Sequence, residues 1–298
     1  MHSTVACLLA ASLGLASAIP SPWNVVSGLQ SRRGVPHFET TKLNKRGEPE
    51  TGDDLPDVEP HPNQLDKVET AFKDAIELSS YVLSFIDTDN DVLPHYFDPN
   101  DRAEIKRIFS TINNGDNGND MLGDILVQTT DANNLCTGST LSYLKNGESD
   151  ATETPYIVLC PNAFKKKAVT ALNGKGPHDS DALDYYAGCG QDGGEIDQNV
   201  SYLMNTLGMT LLHEYMHYDK MIASSFGSIT DNPNGQPGYG PVNVYDKLDK
   251  SLARINADSY AYYASQVLWT TLCGHEFQAP RPGIDDADPD CGGQACSA

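Results

Sequence analysis

Thr210-Leu211-Leu212-His213-Glu214-Tyr215-Met216-His217 places two histidines four residues apart, with a glutamate beside the first. On an α-helix, positions i and i+4 lie one above the other on the same face. Two imidazoles so placed can share one tetrahedral cation, usually zinc. Glu214 lies about 100° further round the helix. From there it can reach a water on the cation without taking a ligand position, which is the arrangement of metal-assisted peptide hydrolysis. Leu203, Met204, Leu207, Leu211 and Leu212 give the preceding turns the spacing of a buried helix, and Asn199 or Ser201 is expected to cap its start.

A catalytic zinc usually takes three protein ligands and a water. One H-E-x-x-H pattern adds a Gly three residues after the second histidine and a His three residues later. Those positions are Lys220 and Ala223 here. Another pattern takes a downstream Glu, but no Glu occurs between Glu214 and Glu276, and no His between His217 and His275. His275 and Glu276 lie beside Cys273, approaching the tail. The remaining acids are Asp219, Asp231, Asp246, Asp249 and Asp258. Asp219 falls about 200° from His217 and points away. Asp231 follows Gly227-Ser228, where the chain can fold back beneath the histidines. Asp246 and Asp249 fit the exposed side of the last helix. Asp258 shares a helical face with Ile255 and Tyr262, a setting that suits a buried, used carboxylate.

H-E-Y-M-H at 213–217, Gly227-Ser228-Ile229-Thr230-Asp231, Tyr239-Gly240 and Asn256-Ala257-Asp258-Ser259-Tyr260 together resemble the aspzincins. These are the deuterolysin and peptidyl-Lys metalloendopeptidase family of secreted fungal zinc proteases. The resemblance implies Asp231 as third zinc ligand, Tyr239 as a catalytic hydrogen-bond donor and Asp258 as a substrate-binding carboxylate for lysine. The chain departs from the family pattern in Ser228, which replaces a Thr, in residues 232–238, which intervene before Tyr239, and in Ala261, where lysine-selective members carry a Glu. The implied fold is α+β and zincin-like, a small twisted sheet and a metal-binding helix with a mainly helical remainder. The implied activity is a zinc-dependent metalloendopeptidase with one zinc ion, cutting protein or peptide substrates with a preference for Lys or basic sequences. Glu214 would be the general base. The alternative from another class is a secreted zinc-binding or adhesion protein that kept the helix and lost catalysis; a pure binding site has no need of Glu214.

The rest of the 298 residues fits export. Residues 1–18 read as a signal peptide, with a short apolar run and Ala16-Ser17-Ala18 before the cut. Residues 19–46 read as a propeptide ending at the dibasic Lys45-Arg46, which leaves residues 47–298 as the metallopeptidase domain. A formal net charge of −21 argues against nucleic acid and anionic membranes as partners and favours basic substrates. We expect a secreted, extracellular monomer. Cys136, Cys160, Cys189, Cys273, Cys291 and Cys296 remain after the signal, enough for three disulfides of open connectivity.

Further elements follow from periodicity. Residues 64–85 and 99–112 read as helices, and residues 243–272 as one long helix. Residues 125–127, 141–144 and 156–159 read as strands, the last either bordering a cleft or lying at the centre of the sheet. Lys165-Lys166-Lys167 reads as a solvated face, and His178 as a surface residue of a long loop. Asp87-Thr88-Asp89-Asn90-Asp91 starts like a calcium loop, but Val92 and Asp98 replace the Gly and Glu such a loop needs, so it reads as a solvated acidic turn. Mass spectrometry of the secreted protein should find a mature N-terminus at or near Gly47; an N-terminus at Ile19 would contradict the processing scheme.

Overall fold

The computed structural model describes residues 62–89, 91–114, 125–146, 155–168, 196 and 198–297. The expected signal peptide, propeptide, His178 and Cys189 lie outside these residues. The described chain is mixed α/β. Its longer helices are α1 (Pro62–Phe85), α2 (Arg102–Asn114), α3 (Leu207–Met216) and α4 (Ala257–Cys273). Three short strands, β1 (Leu126–Gln128), β2 (Ser142–Lys145) and β3 (Tyr156–Leu159), form one sheet in the order β1-β3-β2. No helix among the described residues is long and apolar enough to cross a membrane.

The helix carrying the histidine pair is the hub. α3 packs on α1, α4 and β2, and every residue from Leu207 to Met216 is buried. α1 meets it with a stripe at helical spacing: Val68, Ala71, Phe72, Ala75, Leu78 and Val82 are all buried. The approach is close because Gly208 has no side chain. A Cβ there would lie 2.4 Å from Asp74 Cβ and 3.1 Å from the Ala71 carbonyl oxygen, so only glycine lets the two helices meet at this distance. On the far side, Phe97, Phe109, Tyr260 and Tyr263 interlock, with Phe97 and Tyr260 ring centroids 4.8 Å apart. Fully burying one such side chain stabilises by roughly 1.5–3 kcal/mol, so this cluster fixes α4 against α2.

β3 is the central strand. It pairs parallel with β1 and antiparallel with β2, and Ile157, Val158 and Leu159 are buried. β1 and β2 are the edge strands, and β2 is the one that packs on α3.

Three expectations are corrected. α3 is capped by Thr206, whose Oγ1 accepts from Met209 N at 3.1 Å; Asn199 instead donates to the Ala279 carbonyl. The long helix over 243–272 is broken into a π-turn at Asn243–Lys247, a single helical turn at Lys250–Ala253, and α4. Asp249 and Asn256 each cap a fresh helix start, accepting from Ser251 N and Ser259 N. Lys166 is buried, not solvated, because its Nζ pairs with Asp288 and Asp290 of the tail. Two disulfides, Cys136–Cys160 and Cys291–Cys296, tie the loop before β2 to the end of β3 and close the tail; Cys273 is disulfide-bonded as well.

The acidic turn after α1 is structural. Asp89 accepts from Val92 N and from the Tyr263 hydroxyl, which tethers the turn to α4. A second clamp holds the exit from α3. Glu104 on α2 accepts from Arg107 and from Ser225 N, while Arg107 donates to the carbonyls of Ile222 and Ala223. Its target is a turn in which Ala223 has φ +43°, a left-handed conformation costly to a residue with a Cβ. The Arg107 hydrogen bonds, opposed by burial and helped by Ser225, lower the Glu104 carboxyl to about 2. A depressed carboxyl contributes stability that is complete above its unfolded pKa and is lost as pH falls through the folded one. Glu104→Gln should therefore cost about 1.5–3 kcal/mol at pH 7. The gap to wild type should narrow from about pH 4.3 downward and close below the folded value of about 2, as read by denaturant melts at each pH.

Candidate metal centre

Helical spacing and a fold-back bring three ligand atoms together. His213 Nε2 and His217 Nε2 lie 3.1 Å apart, and Asp231 Oδ1 lies 2.9 Å from the first and 2.8 Å from the second. A tetrahedral zinc with bonds of about 2.0–2.1 Å needs ligand atoms roughly 3.3 Å apart. The triangle is a little tighter than that, and side-chain movement of a few tenths of an ångström opens it. His213, His217 and Asp231 are thus a group that can hold one metal ion.

Both imidazoles are held from behind. His217 Nδ1 meets the Ile229 carbonyl at 2.9 Å. A carbonyl only accepts, so Nδ1 carries the proton and Nε2 is turned to the centre. His213 Nδ1 meets Asp258 Oδ1 at 2.7 Å, and the other Asp258 oxygen accepts from Gly240 N at 2.7 Å. A carboxylate behind a histidine is the usual outer partner of a metal-binding imidazole. Gly240 adopts φ +80° to present this N–H, and a Cβ there would lie 2.6 Å from Ala295 Cβ.

Asp231 is placed by backbone pairing. Thr230 N donates to the Ile255 carbonyl and Ala257 N to the Thr230 carbonyl, a short parallel bridge running into the start of α4. Asn256 caps α4 with its oxygen and donates through Nδ2 to the Asp231 carbonyl at 2.9 Å. Residues 229–231 dock at the break between the helical turn Lys250–Ala253 and α4. Residues 232–238 then form a compact turn through Asn234 and Gly235, both at positive φ. Gly238 closes it against the Asp231 carbonyl, where a Cβ would lie 2.0 Å away. The inserted loop thereby returns Tyr239 to the centre. Its ring stacks on His213 with 6.1 Å between centroids, and Asp231 is near enough for its charge to act on the phenol.

Glu214 is fully buried. Its Oε1 accepts from Ser142 Oγ of β2 at 2.6 Å, and Oε2 has no hydrogen-bond partner among the described residues. Burial pushes its carboxyl up, and the two histidines and Ser142 pull it partly back. Burial also works against ionised Asp231, yet hydrogen bonds and charge from His213 and His217 hold its carboxyl well below the usual range. His213 is the counterpart: burial opposes its cation, and Asp231 and Asp258 raise it well above the usual imidazole value. Burial, then the Asp231 charge, keeps the Tyr239 phenol un-ionised.

A cleft of about 360 Å³ opens beside the centre, lined by Tyr143, Leu144 and Asn146 of the β2 edge, by Glu214 and His217, and by Asp219 and residues 228–231. Asp258 is not among these residues. Expected from the resemblance to meet a substrate lysine, it sits behind His213 with both oxygens engaged. Other groups weighed as ligands are engaged differently: Asp219 lines the cleft and accepts from Ser228 Oγ, Asp249 caps a helix, and His275 Nδ1 meets the Glu276 carbonyl. A second group of potential ligand atoms, Asp288 with Cys291 and Cys296, is closed to a metal because the two sulfurs form a disulfide and Lys166 neutralises the carboxylate. Sequence reasoning missed Ser142, whose one signal is a small polar residue among the large side chains of Leu141, Tyr143 and Leu144.

No known family model matches the chain, and no curated protein matches it in sequence. The site therefore stands on its own geometry. Asp231→Ala removes one of three ligand atoms and should abolish zinc retention through gel filtration. Asp258→Asn keeps all three and should weaken zinc binding about 10–100-fold, measured by competition with a chromophoric chelator. Full retention by Asp231→Ala would move the third ligand elsewhere.

Proposed function

We propose that the chain is a secreted zinc-dependent metalloendopeptidase on a zincin-like α+β scaffold. The observation that carries this reading is the convergence of His213 Nε2, His217 Nε2 and Asp231 Oδ1 beside a buried carboxylate with one uncommitted oxygen. His213, His217 and Asp231 would hold the zinc. A zinc bound there supplies Lewis acidity, acidifying a water and polarising the scissile carbonyl. Glu214 takes the proton of the attacking water and delivers it to the leaving amine. Tyr239, un-ionised and stacked against His213, donates a hydrogen bond to the carbonyl oxygen as charge develops on it. Asp258 and the Ile229 carbonyl keep both imidazoles in the ligating orientation.

Substrate is an extended protein or peptide segment. β2 is an edge strand whose Tyr143 and Leu144 line the cleft, so its free edge can pair with a peptide backbone. The cleft carries Asp219 and Asp231, and the chain as a whole is strongly acidic, which draws basic proteins. With Asp258 engaged behind His213, a preference for basic residues comes from this acidic lining. Disulfides of the kind seen here persist outside the reducing cytosol, in keeping with export. The non-catalytic zinc-binding alternative gives no reason to bury a carboxylate with an unsatisfied oxygen next to the histidines.

Casein hydrolysis by the mature protein should be abolished by a chelator and restored by zinc. Glu214→Gln should keep one zinc per chain while kcat falls about 10²–10⁴-fold. A zinc-loaded wild type that cleaves neither casein nor a denatured proteome would establish the binding-protein alternative instead.

A further inference from the structure

Ser142 is the first residue of β2, paired in register with Leu159 of β3, and it is fully buried. Its neighbours Leu141, Val158 and Leu159 are buried and apolar. A hydroxyl placed there is costly unless it finds a partner. Its partner is Glu214, 72 residues away, at 2.6 Å. An ionised carboxylate can only accept, so Ser142 is the donor. The bond is short and charge-assisted, among the stronger kinds. It joins the edge strand of the cleft to the helix of the histidine pair, which the Asn146 side chain also touches beyond the strand's other end by donating to the His217 carbonyl at 3.1 Å.

We propose that Ser142 is a positioning residue for Glu214, locking Oε1 so that Oε2 is the single oxygen through which this carboxylate works. The catalytic consequence rests on the hydrolase reading above; the contact itself does not. In the reaction, Oε2 takes one proton from the attacking water and returns it to the leaving nitrogen as the C–N bond breaks, while Ser142 keeps its own proton throughout. A carboxylate free to rotate would present either oxygen at varying distance, and misplacement of about 1 Å costs about 10²-fold in rate. The same hydroxyl couples base and substrate. β2 lines the cleft through Tyr143 and Leu144, the residues that follow Ser142, so the strand that would receive the peptide also sets where the base stands.

The test uses the full mature chain with Ser142→Ala and Ser142→Cys, a near-isosteric and weaker donor that keeps the test alive should the alanine variant fold poorly. Infrared difference spectra between each protein and its Glu214→Gln counterpart isolate the Glu214 carboxylate band. That band should shift in Ser142→Ala and shift partway in Ser142→Cys. Zinc content should be unchanged, kcat should fall about ten- to a hundredfold in Ser142→Ala, and KM should stay within twofold. An unmoved Glu214 band overturns the inference, as does a rise in KM with kcat unchanged. A wild type that hydrolyses nothing defeats the hydrolase reading, and the infrared band still decides whether Ser142 holds Glu214.

Discussion

Three electron-rich atoms held within about 3 Å of one another are the constraint on which the rest of the described structure depends. His213 Nε2, His217 Nε2 and Asp231 Oδ1 attract nothing in each other except through a proton or a cation. Holding them at this spacing needs support from behind, and each has it. Asp258 backs His213, the Ile229 carbonyl backs His217, and Asn256 grips the backbone of Asp231. Removing any one backing group leaves a side chain free to rotate away from its neighbours.

The supports belong to one stitched region. Residues 229–231 lie against residues 255–257 as a short parallel bridge, so the segment that provides the Ile229 carbonyl and Asp231 is fixed to the segment that provides Asn256 and Asp258. Gly238 and Gly240 make the return of Tyr239 possible, the first by allowing contact with the Asp231 carbonyl, the second by aiming its N–H at Asp258. The region is anchored from outside by the Glu104–Arg107 clamp on the turn after α3. Packing at Gly208 sets α3 against α1, and with it the position of the two imidazoles relative to Asp231.

Much of this was legible in the sequence, and what was not has a common cause. The histidine pair and Glu214 are a local pattern, readable from helix geometry, whereas Asp231 was one of several candidate aspartates and was singled out only by the family resemblance. α1 and the three strands followed from apolar periodicity. The break in the long helix was hidden because apolar spacing continues through residues 243–272, while the interruption is imposed by docking of Thr230. The cap residues Asp249 and Asn256 were visible in the sequence but silent without that partner. Burial of Lys166 and the engagement of Ser142 depend on residues 122 and 72 positions away, beyond any local pattern. Asp258 was recognised as a used carboxylate, yet whether it served substrate or imidazole depended on which way its helix faced.

The proposed chemistry requires His213, His217 and Asp231 to hold the metal. Crystals of the zinc-loaded mature protein, measured on both sides of the zinc absorption edge, address this directly. One anomalous peak per chain is expected, bounded by His213 Nε2, His217 Nε2 and a carboxylate oxygen of Asp231, with Glu214 outside the ligand set. A peak bound by other residues, or zinc ligated by Glu214 in place of Asp231, would contradict it.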